Sequence, residues 1–495
     1  MASSHRGSRR WVLAAAAAMV TFGSTVQPGA STLASVGPAR VDDATQPNIV
    51  VILTDDQRWD TLWAMPNVQS LLQAQGMTFA NAFVSNSDCC PSRASILTGN
   101  YSHTTGVYTD EPGPYGGVTA FDPTSTVATW LHDAGYRTAL IGKYLNGYQV
   151  TDPVPPGWDE WFANDGGGNR GGYYDYTVSD NGTPSSYGSA DTDYSTDVFA
   201  NQADAFIRGT DPAQPLFLEL APHAPHRPWT PAPRHADAFM DLAPWRPPNW
   251  NERNVSDKPA WVQALPKLNR VTVHDHNRVN QYRTLLAVDD AVAEIVQALT
   301  DTGRLADTMI VFTSDNGFTW GEHRLFDTKF SAYEESIRVP LVIRFDGVVA
   351  PGTTADQIVA NIDFAPTFAE VAGVTPATTP EGLSLMPLLT STSTTWRDAL
   401  LLEHLSPQGP PFCGLRTPHV AYVAYSTGEE ELYKLMSDPY ELANVASDPD
   451  NAKLLANLRS ELAVLCDPPP PGLGPVASWR GVMPRRTEGL VARRV

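Results

Sequence analysis

The chain reads as an α/β protein: a large, mostly parallel sheet flanked by helices, followed by a small C-terminal antiparallel-sheet domain. Three observations predict this. Four separate runs of β-branched and other apolar residues are continuous rather than alternating, as in strands buried on both faces. Between them, apolar residues recur at helical spacing. Late in the chain the pattern changes to short alternating runs.

The first strand is Asn48 to Leu53, an unbroken apolar run that ends in Thr54-Asp55-Asp56. The second, Thr138 to Ile141, leads into Gly142-Lys143, and the third, Leu216 to Leu220, into a loop rich in Pro and His. The fourth, Met309 to Phe312, leads into Thr313-Ser314-Asp315-Asn316-Gly317. Leu285, Val288, Val292, Ile295, Val296 and Leu299 mark a helix before it. Strands that alternate with helices imply a mostly parallel sheet. Each strand carries a polar cluster at its C-terminal end, the edge where open α/β sheets bind ligands. Gly157 to Ser195, rich in Gly, Tyr, Asp and Ser, reads as a long surface loop near the mouth of a site. From about 376 to 466 we expect a small antiparallel sheet (Ala421 to Tyr425 alternates) and a terminal helix. Residues 467–495 open with Pro468 to Pro471 and end basic, as an extended tail.

Residues 1–40 read as an export signal: Arg6, Arg9 and Arg10 precede an apolar run from Trp11 to Phe22 and then small residues. That run is too short for a permanent membrane anchor. Ser8-Arg9-Arg10-Trp11-Val12-Leu13 fits a twin-arginine signal, and an ordinary secretory signal with adjacent arginines fits equally. Both give a secreted or extracytoplasmic protein. With 34 basic against 54 acidic residues the formal net charge is −20, which works against nucleic acid or an anionic membrane as partner. An anionic substrate then needs a local basic pocket. Of the four cysteines, Cys413 and Cys466 are free to pair, whereas a bridge between the neighbours Cys89 and Cys90 would be strained.

Those neighbours open the strongest motif, Cys89-Cys90-Pro91-Ser92-Arg93-Ala94-Ser95-Ile96-Leu97-Thr98-Gly99. Pro91 suits the first turn of a helix and Gly99 its end. A group at Cys89 would then face backbone N–H donors and the positive end of the helix dipole.

The motif resembles the signature of type I (formylglycine-dependent) sulfatases, cysteine-x-Pro-Ser-Arg followed by Leu-Thr-Gly. The resemblance implies an alkaline-phosphatase-like fold, sulfate ester hydrolysis, and formylglycine derived from Cys89 by a formylglycine-generating enzyme. It extends over nearly all of the chain after the signal. Asp55-Asp56 and Asp315-Asn316 match the metal-binding pairs, with Cys89 at the same centre. Oxygen donors with three carboxylates favour Ca2+ over zinc. Asp289-Asp290, mid-helix, is assigned no metal role. Arg93 matches the arginine beside the nucleophile, and Lys143 and Lys329 match the lysines that grip sulfate. His226, before x-Pro, matches the family histidine, with His223 as runner-up. His226 or Lys329 is the proton donor to the departing alcohol.

Many sulfatases carry a second histidine where this chain has Leu145; Lys143, a metal-bound hydroxyl or water would substitute. His103 reads as a structural hydrogen-bonding residue. His323 is a candidate lining residue of the pocket. His274 and His276, which would share a face of a strand, read as surface residues.

Within the family the chain is most similar to the N-acetylglucosamine-6-sulfatases, through Cys-Cys-Pro-Ser-Arg, Gly-Lys-Tyr-Leu-Asn, Pro155 to Trp158 and Thr284 to Asp290. That branch implies a 6-sulfated glucosamine of a glycan as substrate. An aryl or alkyl sulfatase, a phosphoester hydrolase of the same fold, and a non-catalytic binder of sulfated glycans are the rival readings.

Overall fold

The computed structural model describes residues 46–164, 172–391, 395–405 and 408–474. The export signal and the tail beyond 474 lie outside the described residues. In chain order the elements that frame the site begin with β1 (Asn48–Thr54), β2 (Met77–Phe83) and helix α1 (Cys89–Thr98). Strands β3 (Arg137–Lys143), β4 (Glu160–Asn164), β5 (Thr177–Asp180) and β6 (Thr183–Ser186) follow. Next come helix α2 (Ser195–Gly209), β7 (Leu216–Ala221), helix α3 (Val271–Asp301) and β8 (Thr308–Ser314). The ribbon β9 (Thr319–Trp320) and β10 (Phe326–Thr328) precedes β11 (Leu341–Phe345), β12 (Thr353–Ala360) and helix α4 (Phe364–Ala372). The last elements are β13 (Leu400–His404), β14 (Phe412–Arg416), β15 (Val420–Tyr425), β16 (Glu430–Lys434) and helix α5 (Ala452–Leu465).

The large sheet has the order β12-β2-β11-β8-β1-β7-β3-β4-β5-β6. Its centre, β8-β1-β7-β3-β4, is parallel throughout; β11 and β5 run opposite to it, and β6 turns back from β5 into the direction of the centre. β1 shows why its sequence is unbroken: Ile49, Val51 and Leu53 enter the core layer shared with α1 and α4, while Val50 and Ile52 enter the layer under α2 and α3. Neither face meets water, so neither needs polar residues.

β13-β14-β15-β16 form the small antiparallel sheet, in sequence order. Cys413 on β14 is disulfide-bonded to Cys466, just beyond α5. Among the described residues no helix is long and apolar enough to cross a membrane.

Two expectations fail. The segment from Gly157 to Ser195 is not one long loop, because β4 and the β5–β6 hairpin extend the sheet through it. Pairing of Phe162, Ala163 and Asn164 with β5 supplies the order that its Gly- and Asp-rich composition conceals. His274 and His276 lie not on a strand but in the first turns of α3. The Val-Thr-Val start suggests alternation, yet the helix continues through it.

Candidate active site

Four parallel strands deliver their polar ends to one edge of the sheet. Asp55 and Asp56 follow β1, Lys143 ends β3, His223 and His226 follow β7, and Asp315 and Asn316 follow β8. Because β8, β1, β7 and β3 are neighbours, residues more than two hundred positions apart meet. The Asp56 N–H donates to Asp315 Oδ1 (3.2 Å), which locks the ends of β1 and β8 together. Asp56 holds a left-handed backbone (φ 69°), a conformation that Asp tolerates better than most residues.

Helix α1 brings Cys89 to this edge. Gly99 closes the helix in the left-handed conformation (φ 74°), and a Cβ there would meet Pro380 and Pro366 at 2.7 and 2.9 Å. At the other end the Cys90 N–H donates to Asp110 Oδ1 (2.7 Å), so a carboxylate occupies the helix start beside Cys89. The Cys89 thiol donates to Asp55 Oδ1 (3.2 Å). Burial, then Asp315 and Asp55, push that thiol well above the usual thiol range.

Each cation at the centre is tied to a carboxylate. Arg93 Nε donates to Asp315 Oδ2 (2.8 Å) and Nη1 to the Lys143 carbonyl (2.8 Å), while Nη2 is buried without a partner. Lys143 Nζ donates to Asp55 Oδ2 at 2.6 Å. Lys329, brought in just after β10, reaches both Asp56 Oδ1 and Cys89 Sγ. Burial alone would raise Asp55; Lys143, His226, Lys329 and Arg93 together hold it well below the carboxylate range. Asp55, Asp56, Cys89, Arg93, Lys143, Asp315, Asn316 and Lys329 are all buried.

The donor set fits a hard cation. Ligand atoms of Asp55, Asp56, Cys89 and Asp315 lie within 4.8 Å of one another. Asn316 donates its amide N–H to Asp56 Oδ1 (2.7 Å) and to the Gly317 carbonyl, and its Oδ1 is buried with no partner. Three carboxylates and an orphan amide oxygen are the ligands that calcium prefers. Gly317 is required beside them, since a Cβ there would sit 2.2 Å from the Glu335 carbonyl oxygen.

The two histidines after β7 differ. His223 is fully buried, donates Nε2–H to the Arg227 carbonyl (3.0 Å), and is pushed down to about 3 by burial and by His226. His226 is part-exposed, with Nδ1 on the same carbonyl (2.9 Å) and Nε2 3.7 Å from Asp56 Oδ2.

Leu145 packs in the apolar core and offers nothing to the centre. His103 bridges Glu403 (3.0 Å) and Glu381 (3.1 Å), a structural arrangement. Asp289 accepts the Asn67 and Val68 N–H groups. His323 is not a lining residue: it is fully enclosed, bonded to Glu252 (2.8 Å) and stacked on Tyr333. Sequence reasoning missed Glu219, buried mid-β7, whose carboxyl burial pushes up to about 7 while Arg93 pulls it down. Its signal was a lone acid inside Leu-Phe-Leu-Glu-Leu-Ala. Asp110, in a loop, carried no signal.

Comparison with known proteins agrees with this geometry. Residues 47–374 match the family described as Sulfatase, and residues 321–467 match the one described as N-sulphoglucosamine sulphohydrolase, C-terminal. The chain is 33% identical to human N-acetylglucosamine-6-sulfatase over 85% of its own length and 84% of that protein's. It is 29% identical to the N-acetylglucosamine-6-O-sulfatase of Bacteroides thetaiotaomicron, over 86% of this chain and 87% of the relative. A solved structure in complex with its substrate D-glucosamine-2-N,6-O-disulfate superposes with TM-score 0.74 at 26% identity, covering 85% of this chain and 98% of the other. With the acid-lined centre at Cys89 and relatives that span its length, the chain belongs to the sulfatase family and is a sulfate ester hydrolase.

Proposed function

We propose that this sulfatase removes the 6-O-sulfate of N-acetylglucosamine in glycans, with formylglycine made from Cys89 and with calcium held by Asp55, Asp56, Asp315 and Asn316. The observation that carries the reading is the meeting of these buried oxygen donors at Cys89. The substrate class is supported by the named activities of the human and bacterial relatives and by the disulfated glucosamine in the similar structure. Formylglycine at position 89 would supply, as its hydrate, the hydroxyls for attack on sulfur and for release of sulfate, and calcium held by these residues would draw charge from the sulfate oxygens.

The chain's own groups do the rest. Arg93, oriented by Asp315 and the Lys143 carbonyl, keeps Nη2 for charge at the reacting centre. Lys143 and Lys329 balance carboxylates that a dication would neutralise instead, which frees both ammonium groups for sulfate oxygens. Lys329 touches Cys89 and so lies on the attacking side, whereas the departing alcohol leaves from the opposite side. His226 donates Nδ1–H to the Arg227 carbonyl and places Nε2 3.7 Å from Asp56 Oδ2, where, as the imidazolium, it would carry the proton for that alcohol. His223 has only a lone pair at Nδ1 and cannot serve.

The same reading takes 46–375 as the catalytic domain, 376–466 as a smaller α+β unit and 1–40 as the signal for secretion. The Cys413–Cys466 bond supports an oxidising destination. Cys89 is 1% exposed, so the formylglycine-generating enzyme acts before the chain folds.

Tandem mass spectrometry of the tryptic peptide ending at Arg93, with assays on N-acetylglucosamine-6-sulfate, 4-nitrophenyl sulfate and 4-nitrophenyl phosphate, tests the proposal. We expect an aldehyde at position 89, an unchanged Cys90, and highest kcat/KM on the sugar. Cys89→Ala should lower kcat by about 10³-fold or more. An active protein with a plain thiol at 89, or a preference for the phosphate ester, would refute it.

A further inference from the structure

A second group of metal-competent side chains lies apart from the catalytic centre, where the large sheet meets the C-terminal unit. Ligand atoms of His323, Glu335 and Glu441 lie within 4.8 Å of one another, and all three residues are buried. They come from three places in the chain: just after β9, the short helical turn Glu334–Ile337, and the segment between β16 and α5.

The charges here are only partly balanced, by Lys258 near Glu441 and Arg58 near Glu335. Among the described residues neither Glu335 nor Glu441 has an ion pair, although the adjacent Glu334 is paired with both Arg416 and Arg338. One Glu441 oxygen accepts the Glu334 N–H, and Glu335 Oε1 accepts from Asn249 Nδ2 (3.0 Å). Lys258 is near, but its ammonium is bonded to the Tyr433 hydroxyl and the Glu441 main-chain carbonyl. Two buried carboxylates side by side repel unless protons or a cation lie between them.

The remaining donors point to a cation. His323 Nδ1 donates to Glu252 Oε2 (2.8 Å), which fixes the tautomer and leaves the Nε2 lone pair facing the cluster. A carboxylate behind a ligating imidazole is the usual support of a bound metal. Two oxygens here are buried without a partner: Glu335 Oε2 and Asn249 Oδ1. Asn249 Nδ2 lies 3.3 Å from His323 Nε2, so a half-turn of the amide would present Oδ1 to the same point. Donors around zinc stand ~3.4 Å apart for bonds of about 2.1 Å, a contraction that side-chain rotation supplies.

We propose that His323, Glu335 and Glu441, with Asn249 completing the set, bind a structural zinc ion. An imidazole nitrogen with two carboxylates suits zinc rather than calcium, and the two negative charges make the buried assembly neutral. The ion would brace the turn at Glu335, whose carbonyl lies against Gly317 beside the catalytic ligand Asn316.

Metal analysis of the full-length, untagged enzyme grown with added zinc tests this independently of the catalytic calcium. We expect about one zinc per chain that survives gel filtration, with one imidazole in its zinc-edge absorption spectrum. His323→Ala and the isosteric Glu441→Gln and Glu335→Gln should each lose the zinc. Asp315→Ala should lose calcium and keep zinc. Zinc-free folded wild type overturns the proposal and leaves protons between the carboxylates. Zinc unchanged in Glu441→Gln and Glu335→Gln, or zinc lost in Asp315→Ala, overturns it also.

Discussion

His103 sits between two carboxylates, and its protonation is coupled to folding. Burial alone would lower its pKa; the hydrogen bonds to Glu381 and Glu403 overcome that and raise it to about 10. A histidine with a raised folded pKa gives stability that is complete below its unfolded value, about 6.5, and is lost as pH rises through about 10. We therefore expect His103→Gln to lose about 2 kcal/mol near pH 6, the scale of charge-assisted hydrogen bonds in a largely enclosed site. The deficit should shrink towards pH 10. Urea melts of both proteins across that range check it, and a constant deficit would mean that His103 is not held charged. At this scale, residues inside a contiguous motif were readable: Cys89 and Arg93 share one helix, and Asp55-Asp56 and Asp315-Asn316 each end an apolar run. Asp110 and Glu219 were not, because their relation to Cys90 and Arg93 exists only across space.

At the scale of elements, the C-terminal sheet depends on a tether that the large sheet does not need. The Cys413–Cys466 bond joins positions 53 residues apart and ties β14 to the end of α5, where Leu455, Leu458 and Leu462 pack on Leu415 and Tyr422. Replacing both cysteines with Ala should cost about 2–4 kcal/mol of unfolding free energy, the range for a cross-link of this span. Hydrogen exchange should then rise in β13 to β16 while the amides of β1, β7 and β8 stay protected. Uniform loss across both sheets would show instead that the small sheet has no stability of its own. The strands that announced themselves, β1, β3, β7 and β8, are buried on both faces and carry an apolar middle, broken only by Glu219 in β7; β4 and β11 are buried on both faces too, but Glu160, Asn164 and Arg344 shorten their runs. β4 to β6 escaped notice because tertiary pairing, not composition, makes them strands. The first turns of α3 were misjudged for the matching reason: a helix anchored along its later turns carries a polar, β-branched start with it.

Strand order is a property of the whole molecule, and no local pattern states that β1 lies between β7 and β8. That order puts three buried carboxylates at one point and makes global stability depend on what neutralises them. Without a dication, Arg93, Lys143 and Lys329 pair with Asp315, Asp55 and Asp56, so the calcium-free enzyme should remain folded. A calcium ion held as proposed would bind only the assembled centre, because Asp55 and Asp315 are brought together by folding. Each tenfold rise in calcium above its dissociation constant should therefore add about 1.4 kcal/mol of stability. Thermal melts in EGTA and then in graded calcium would show the midpoint climbing with the logarithm of concentration. Asp315→Asn should push the onset of that climb to higher calcium, by removing a carboxylate ligand, and should weaken the hold on Arg93 at the same time. A melting point indifferent to EGTA and to added calcium would mean that the carboxylates at Cys89 serve only the three cations already beside them.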